Sequence, residues 1–226
     1  MIESWRWFGP LDKIDLTEIY QTGSDSVVTA LHDISYGEIW PLPEIEKRKA
    51  MVEAAGLTWS VVESLPVHED IKLGRGNTSY LFNNYRKSLE NLAKCGVGIV
   101  CYNFMPLLDW TRTNLDAPAD TGGSALRFSM AEMAAFDVFV LKRREAKEGY
   151  SEEVLKNAEE LFKKSDQKYF DKILRNIMAG LPGSYARYST ETLREVLKNY
   201  EGFKHEDLRM NYQKFLREII PTATDC

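Results

Sequence analysis

Apolar runs alternate with helical patterns along the first part of the chain. These runs have the composition of short buried strands and cover Ser4–Phe8, Val27–Leu31, Thr58–Ser64 and Gly98–Phe104. Strands separated by helices favour a parallel sheet, because parallel neighbours need a crossover connection that is usually helical. The pattern therefore predicts an α/β fold.

The segments between these runs carry helix signals. Asp15 and Glu18 have the spacing of a capping box, which opens a short helix. A second helix is predicted over Glu44–Ala55, and Asn77 is placed to cap a third, longer helix. The apolar stripe of this third helix follows one helix face and consists of Leu81, Tyr85, Leu89 and Leu92.

The alternation of strand and helix patterns ends after Pro106. Residues 107–128 are rich in Asp, Thr, Pro and Gly, and this composition predicts a long ordered loop. Four helical segments follow, and their predicted caps are Ser129, Ser151, Asp166 and Ser189. The first of them is predicted over 130–143, and a last helix is predicted near 205–220. Residues 107–203 are therefore interpreted as a loop and helical insertion after the fourth strand.

Four strand–helix units with unpaired parallel edges favour one half of an eight-stranded (βα)₈ barrel. An open doubly wound sheet usually has a glycine-rich phosphate loop after its first strand, and Phe8–Leu11 lacks that pattern. Residues 1–226 are thus expected to form the N-terminal half of a TIM-barrel domain. A small open α/β sheet remains the alternative.

Composition and charge exclude several classes of protein. The 226 residues are 44% hydrophobic and 28% charged, which is ordinary for a globular chain. A net charge of −5 offers no basic surface for nucleic acid, and no apolar run approaches the ~18 residues of a membrane span. No signal-peptide pattern is visible, and Cys95, Cys101 and Cys226 lack disulfide or metal spacing. We therefore expect a cytoplasmic protein with neither a nucleic-acid nor a membrane partner.

Polar and aromatic side chains follow each predicted strand, where a βα barrel carries its working residues. The candidate substrate-binding residues are Arg6, Trp7, His32, Glu63, His68, Asn103, Asp109 and Arg112. Because guanidinium groups bind carboxylates and the other polar groups read hydroxyls, the expected ligand is a polar anionic small molecule. Each residue also has a structural interpretation, such as Arg6 pairing with a rim carboxylate or Arg112 pairing with Asp109.

Six blocks of sequence, in order along nearly the whole chain, resemble the mannonate dehydratase family. They are WRWFGP at Trp5–Pro10, VVTALHDI at Val27–Ile34, WSVVESLPVHEDIK at Trp59–Lys72, CYNFMPLLDWTRT at Cys101–Thr113, ALRF at Ala125–Phe128 and IMAGLPG at Ile177–Gly183. The resemblance implies a TIM barrel of the xylose-isomerase-like kind. It also implies an enzyme that uses Mn²⁺ or Fe²⁺ to dehydrate D-mannonate to 2-keto-3-deoxy-D-gluconate in hexuronate (glucuronate) catabolism.

The sequence departs from the family in one respect. The metal-ligand and acid–base motifs of the family, among them a His-Pro-Asp-Asp run and a Cys-Thr-Gly-Ser run, are absent. The resemblance therefore implies that this chain is the N-terminal part of such an enzyme and contains none of its metal ligands. No catalytic residue can be assigned in it, and the chain alone is expected to be inactive. Its expected partners are D-mannonate and either a second copy or the C-terminal half. The alternatives are another metal-dependent sugar-acid enzyme or isomerase of this superfamily, or a non-catalytic half-barrel binding module.

Overall fold

The computed structural model describes residues 1–107, 111–179 and 189–226. The chain divides into two compact units. Met1–Pro106 and Lys204–Cys226 form the first unit, and Leu107–Phe203 forms the second. The α-helices of the described residues are α1 (Leu16–Gln21), α2 (Leu42–Ala54), α3 (Glu69–Leu73), α4 (Thr78–Lys94), α5 (Met130–Ala135), α6 (Glu152–Lys164), α7 (Gln167–Met178), α8 (Thr190–Lys198) and α9 (His205–Asp225).

The first unit is built on a four-stranded parallel sheet. Its strands are β1 (Ser4–Arg6), β2 (Ser26–Thr29), β3 (Thr58–Glu63) and β4 (Val100–Cys101), and they lie side by side in sequence order. All three pairings are parallel, so the predicted α/β organisation is confirmed. The strands are shorter than predicted, because the apolar runs continue into loops that are buried without strand pairing, as at Leu31.

The helices of the first unit follow the sequence signals closely. Asp15 caps α1 through the predicted capping box, accepting from the Glu18 amide at 2.8 Å. Asn77 caps α4, and the apolar stripe of this helix enters the core, with Tyr85, Leu89 and Leu92 buried. The short helix α3 was not predicted. The last helix, α9, packs against α3 and α4 and buries Phe215 in the same core.

One face of the sheet is polar. The hydroxyl of Ser26 lies 2.7 Å from that of Ser4 and 3.0 Å from that of Ser60, so a hydrogen-bonded row crosses β1, β2 and β3. The register shifts at Ser60, because Val27 is opposite Trp59 while Val28 is opposite Val61. This extra residue changes the alternation of β3, so its later residue Glu63 lies on the same face. We call this surface the polar sheet face; its residues are Ser4, Arg6, Ser26, Val28, Ser60, Val61, Glu63 and Cys101.

The second unit begins with a hairpin, and here the prediction of a loop over 107–128 was wrong. The strands β5 (Asn114–Pro118) and β6 (Ser124–Arg127) pair antiparallel. They are joined by a tight turn in which the Ala119 amide donates to the Gly123 carbonyl at 2.9 Å. The adjacent Gly122 has a φ of +87°, which glycine adopts without strain. The Gly-Gly pair was a hairpin signal, but the flanking strands carry few β-branched residues.

Helices form the remainder of the second unit. Ser129, Ser151, Asp166 and Ser189 cap α5, α6, α7 and α8 as predicted. The helix predicted over 130–143 is divided, because α5 continues as a π-helix over Phe136–Leu141. Asp137 of this π-helix is buried and binds the Arg143 guanidinium at 2.8 and 2.6 Å. No helix of the described residues is long and apolar enough to cross a membrane.

Candidate functional site

An ion pair joins two strands that are not neighbours in the sheet. Arg6 ends β1, Glu63 ends β3, and β2 lies between them. The Arg6 Nη1 atom nevertheless lies 2.6 Å from Glu63 Oε2. Strands two places apart are separated by roughly 10 Å, so these side chains converge over β2. The pair therefore lies at the carboxyl ends of the strands, on the polar sheet face.

The guanidinium of Arg6 is held on several sides. Its charged carbon lies 5.1 Å from the centre of the Phe8 ring, and its Nε atom is buried. This Nε has no hydrogen-bond partner within the described part of the chain. Glu63, in contrast, leaves about half of its side chain exposed (47%). The pair thus presents carboxylate oxygens and terminal guanidinium nitrogens to the surface.

Cys101 stands beside this pair, opposite Glu63 in the register of β3 and β4. Cys101 as a whole residue is exposed, although its thiol is partly buried. Partial burial, followed by the charge of Glu63, raises the pKa of the Cys101 thiol, while Arg6 opposes that shift. The thiol is therefore protonated at neutral pH and is a weak hydrogen-bonding group rather than a nucleophile.

His32 follows β2 and differs from an ordinary surface histidine. Both nitrogens of its ring are buried, and neither has a hydrogen-bond partner among the described residues. Burial and then the positive charges of Arg48 and Arg6 lower the pKa of His32 to about 4, against the opposing effects of Asp33 and Asp12. The imidazole is therefore uncharged at neutral pH.

Arg48 was not among the predicted site residues, although it braces the loops after β1 and β2. It extends from α2, is 5% exposed, and donates to the Ala30 carbonyl at 2.7 Å. Its guanidinium carbon lies 5.4 Å from the ring centre of Trp7. Trp7 itself is buried, so its ring supports Arg48 from within the core instead of facing solvent.

His68 and Asn103 follow β3 and β4. The Nδ1 atom of His68 accepts a hydrogen bond from the Asp70 amide at 3.1 Å and so caps α3. Asn103 is half-buried beside Tyr102. The hydroxyls of Tyr102 and Tyr212 lie 2.8 Å apart, and this hydrogen bond connects the segment after β4 to α9. Burial and this hydrogen bond raise the pKa of Tyr102 to about 12.

The last two predicted site residues lie beyond Pro106. Asp109 is outside the described residues, as are residues 180–183 of the Ile177–Gly183 block. Arg112 belongs to the second unit, where its Nη1 donates to the Thr111 carbonyl at 3.2 Å. The structure therefore brings Arg6, His32 and Glu63 together at the strand ends of the first unit.

The described residues do not fit a divalent-metal site. They contain no group of three or more histidine, cysteine, aspartate or glutamate side chains placed to hold a metal ion. His32 is a possible metal-binding side chain near this pair, but the positive charges of Arg48 and Arg6 act on its ring. Their charges oppose the binding of a cation at that ring. The strand ends can instead form hydrogen bonds to a polar ligand. The charges of Arg6 and Glu63 balance, and the His32 ring and the Cys101 thiol are uncharged.

Comparison with known proteins gives a consistent result. The family model described as D-mannonate dehydratase (UxuA) matches residues 1–226. A mannonate dehydratase of Marinomonas sp. (strain MWYL1) is 49% identical over 223 residues, which are 99% of this chain and 57% of that protein. One from Chromohalobacter salexigens is 48% identical over 225 residues, covering 100% of this chain and 58% of the relative.

A solved structure shows the same similarity. The crystal structure of mannonate dehydratase from Streptococcus suis serotype 2 matches with a TM-score of 0.68 and 32% identity. The match covers 100% of this chain and 49% of that one. The chain therefore spans about half the length of the relatives it matches, and its α/β fold is similar to the corresponding part of that structure.

Proposed function

The chain belongs to the D-mannonate dehydratase family, and on that premise we propose that it forms the N-terminal part of an enzyme that dehydrates D-mannonate. The product would be 2-keto-3-deoxy-D-gluconate. The observation that carries the proposal is the family match over residues 1–226. The position of the Arg6–Glu63 pair supports it, because polar residues at the carboxyl ends of parallel strands are where α/β enzymes bind substrate.

We propose further that the first unit supplies the first four strand–helix units of a (βα)₈ barrel, with residues 107–203 inserted after β4. Two features support this. The four strands are parallel and lie in sequence order, and side chains of β1 and β3 meet over β2, as they do on the inner face of a curved sheet. The polar sheet face would then look into the barrel.

The reaction removes the proton next to the substrate carboxylate and the hydroxyl one carbon further on. We propose that this chain contributes substrate positioning, which can supply several kcal/mol of a barrier. Arg6, Glu63, His32 and Asn103 would line the binding rim, with Trp7 and His68 holding its loops. The roles of Arg112 and Asp109 in binding the substrate stay predictions from the sequence.

The metal requirement proposed for the whole enzyme is Mn²⁺ or Fe²⁺. Because the described residues do not fit such a site, we assign no ligand and derive no step through the metal. We also propose that the enzyme acts in the cytoplasm, in hexuronate catabolism, and that the chain pairs with further copies or with the remainder of the protein. The outer edges of β1 and β4, which pair with no further strand of the described residues, support such pairing.

The experiment is a turnover assay with the full-length protein, supplied with Mn²⁺ or with Fe²⁺. Mass spectrometry should show D-mannonate converted to a product lighter by one water. The C2 epimer, D-gluconate, serves as the matched control and should be converted far more slowly. Absence of product from D-mannonate with either metal would refute the proposed activity.

A further inference from the structure

The Arg6–Glu63 pair offers a more specific conclusion about the substrate, and this conclusion rests on the proposed function. We propose that the pair binds two neighbouring hydroxyl groups of the sugar acid and not its carboxylate. From sequence alone, Arg6 was a candidate for holding that carboxylate. The geometry around its guanidinium points to a different use.

A guanidinium holds a carboxylate best through two parallel N–H···O bonds along one edge. One terminal nitrogen of Arg6 is already engaged, because Nη1 lies 2.6 Å from Glu63 Oε2. The other edge includes Nε, which is buried. A second carboxylate in the bidentate arrangement would therefore have to share Nη1 with Glu63 or reach the buried Nε.

Charge leads to the same conclusion. Arg6 is the one basic residue of the polar sheet face as defined above, and Glu63 offsets its charge at 2.6 Å. A substrate carboxylate brought to Arg6 would lie close to the Glu63 carboxylate. Two like charges that share one cation disfavour each other. An uncharged ligand meets no such repulsion.

Hydroxyl groups match what the pair still offers. The half-exposed Glu63 carboxylate has lone pairs that accept from a hydroxyl, and the terminal nitrogens of Arg6 have N–H groups that donate to one. Two hydroxyls on adjacent carbons can satisfy both at once, since each hydroxyl donates and accepts. The nearby Cys101 thiol is protonated, and the row of Ser4, Ser26 and Ser60 is uncharged, so the surroundings also suit a polyol.

D-Mannitol is the probe for this proposal, because it carries neighbouring hydroxyls but no carboxylate. In the full-length enzyme, its inhibition constant against D-mannonate is compared between wild type and Glu63→Gln. Removing a charge-assisted hydrogen bond should raise that inhibition constant about tenfold or more and raise KM for D-mannonate by a similar factor. Arg6→Lys should give a smaller increase in both. Glu53→Gln, in an exposed pair on α2, is the matched control and should change neither.

The outcomes separate this proposal from the proposed function. If Glu63→Gln raises KM for D-mannonate but leaves mannitol inhibition unchanged, the pair reads the carboxylate and the inference is wrong. If mannitol does not compete in the wild type, the inference is wrong as well. If the wild type does not turn over D-mannonate, the proposed function itself fails. Melting temperatures of the variants identify any loss of folding, and Arg6→Lys provides the second test if Glu63→Gln is unstable.

Discussion

At the scale of single residues, β2 carries two buried hydroxyls in opposite situations. Thr29 is fully buried, and its Oγ1 has no hydrogen-bond partner among the described residues. Ser26 is also buried, but its hydroxyl bonds those of Ser4 and Ser60. A buried polar group without a partner costs stability, whereas a paired one contributes to it.

We therefore expect opposite effects from removing these two hydroxyls. Thr29→Val, which keeps the shape of the side chain, should stabilise the protein by about 1 kcal/mol. Ser26→Ala should destabilise it by about 1–2 kcal/mol, because two hydrogen bonds are lost. Urea denaturation of both variants measures the difference. Destabilisation by Thr29→Val would show that its hydroxyl has a partner after all.

The buried ring of His32 should make the stability of the folded protein depend on pH in the acid range. Its pKa is about 4 in the folded protein against 6.5 in the unfolded chain. Between these pH values the unfolded state binds more protons, so stability falls as the pH decreases from 6.5 to 4. The charges facing the ring are those of Arg48, Arg6, Asp33 and Asp12.

We expect His32→Gln to flatten this part of the pH profile. Melting temperatures of wild type and variant, measured from pH 7 to pH 4.5, should diverge in slope below about pH 6.5. His205→Gln, at an exposed position at the start of α9, is the control and should follow the wild type. Parallel curves for wild type and His32→Gln would contradict the prediction.

Sequence alone identifies Arg6, Glu63 and His32 as candidates but not how they are arranged. Contact between Arg6 and Glu63 depends on the register shift at Ser60. No residue pattern in the sequence predicts this shift. Arg48 was missed because it lies in the charged run Glu46-Lys47-Arg48-Lys49, which is typical of a solvated helix face. Its burial is decided by tertiary packing against Trp7.

At the scale of elements, the junction of α3 and α9 depends on a glycine. Gly74 ends α3 with a φ of +65°, and a Cβ atom there would lie 2.5 Å from Asn211 Oδ1. Asn211, on α9, donates to the Lys72 carbonyl at 2.9 Å. Any side chain at Gly74 would therefore disturb the contact that holds α9 to α3.

Gly74→Ala should destabilise the protein by about 2–3 kcal/mol, from backbone strain and the displaced Asn211 together. Gly23→Ala is a matched control, because Gly23 also has a positive φ but nothing lies within 4 Å of its Cβ position. Gly23→Ala should lower the free energy of unfolding only through backbone strain, by about 1 kcal/mol. Equal losses in urea denaturation would exclude a role for the Asn211 contact.

Most element types were predictable, and the exceptions have physical reasons. Caps such as Asp15 and Asn77 are local signals, so the helices they begin were predicted well. The strands β5 and β6, unlike the Gly-Gly turn between them, and the π-helix at Phe136–Leu141 depend on pairing and packing that residue spacing does not encode. The last helix also continues past Pro221, beyond its predicted end.

At the scale of the whole molecule, the two edges of the sheet are flanked by exposed apolar side chains. Ile99 precedes β4 and is 57% exposed, and Ile2 precedes β1 and is 65% exposed. Unpaired strand edges with apolar flanks are sites of association between chains. The 226-residue chain should therefore self-associate at high concentration.

Ile99→Lys should reduce this association, because a charge at an edge opposes strand pairing. Ile220→Lys is the control, since Ile220 is similarly exposed (52%) but lies on the helix α9 and is not next to a strand in the sequence. Light scattering over a range of concentrations measures both variants. A monomeric wild type, or equal effects of the two substitutions, would contradict the prediction.

The division of the chain also constrains the order in which it can fold. The core of the first unit includes Phe215 from α9, yet residues 107–203 lie between that helix and β4 in the sequence. During synthesis, the N-terminal strands and helices therefore leave the ribosome long before the helix that completes their core. The second unit is continuous in sequence and can close first. The entropy lost on closing the long connection grows only with the logarithm of its length. The insertion therefore delays completion of the first unit's core but lowers the free energy of unfolding only slightly.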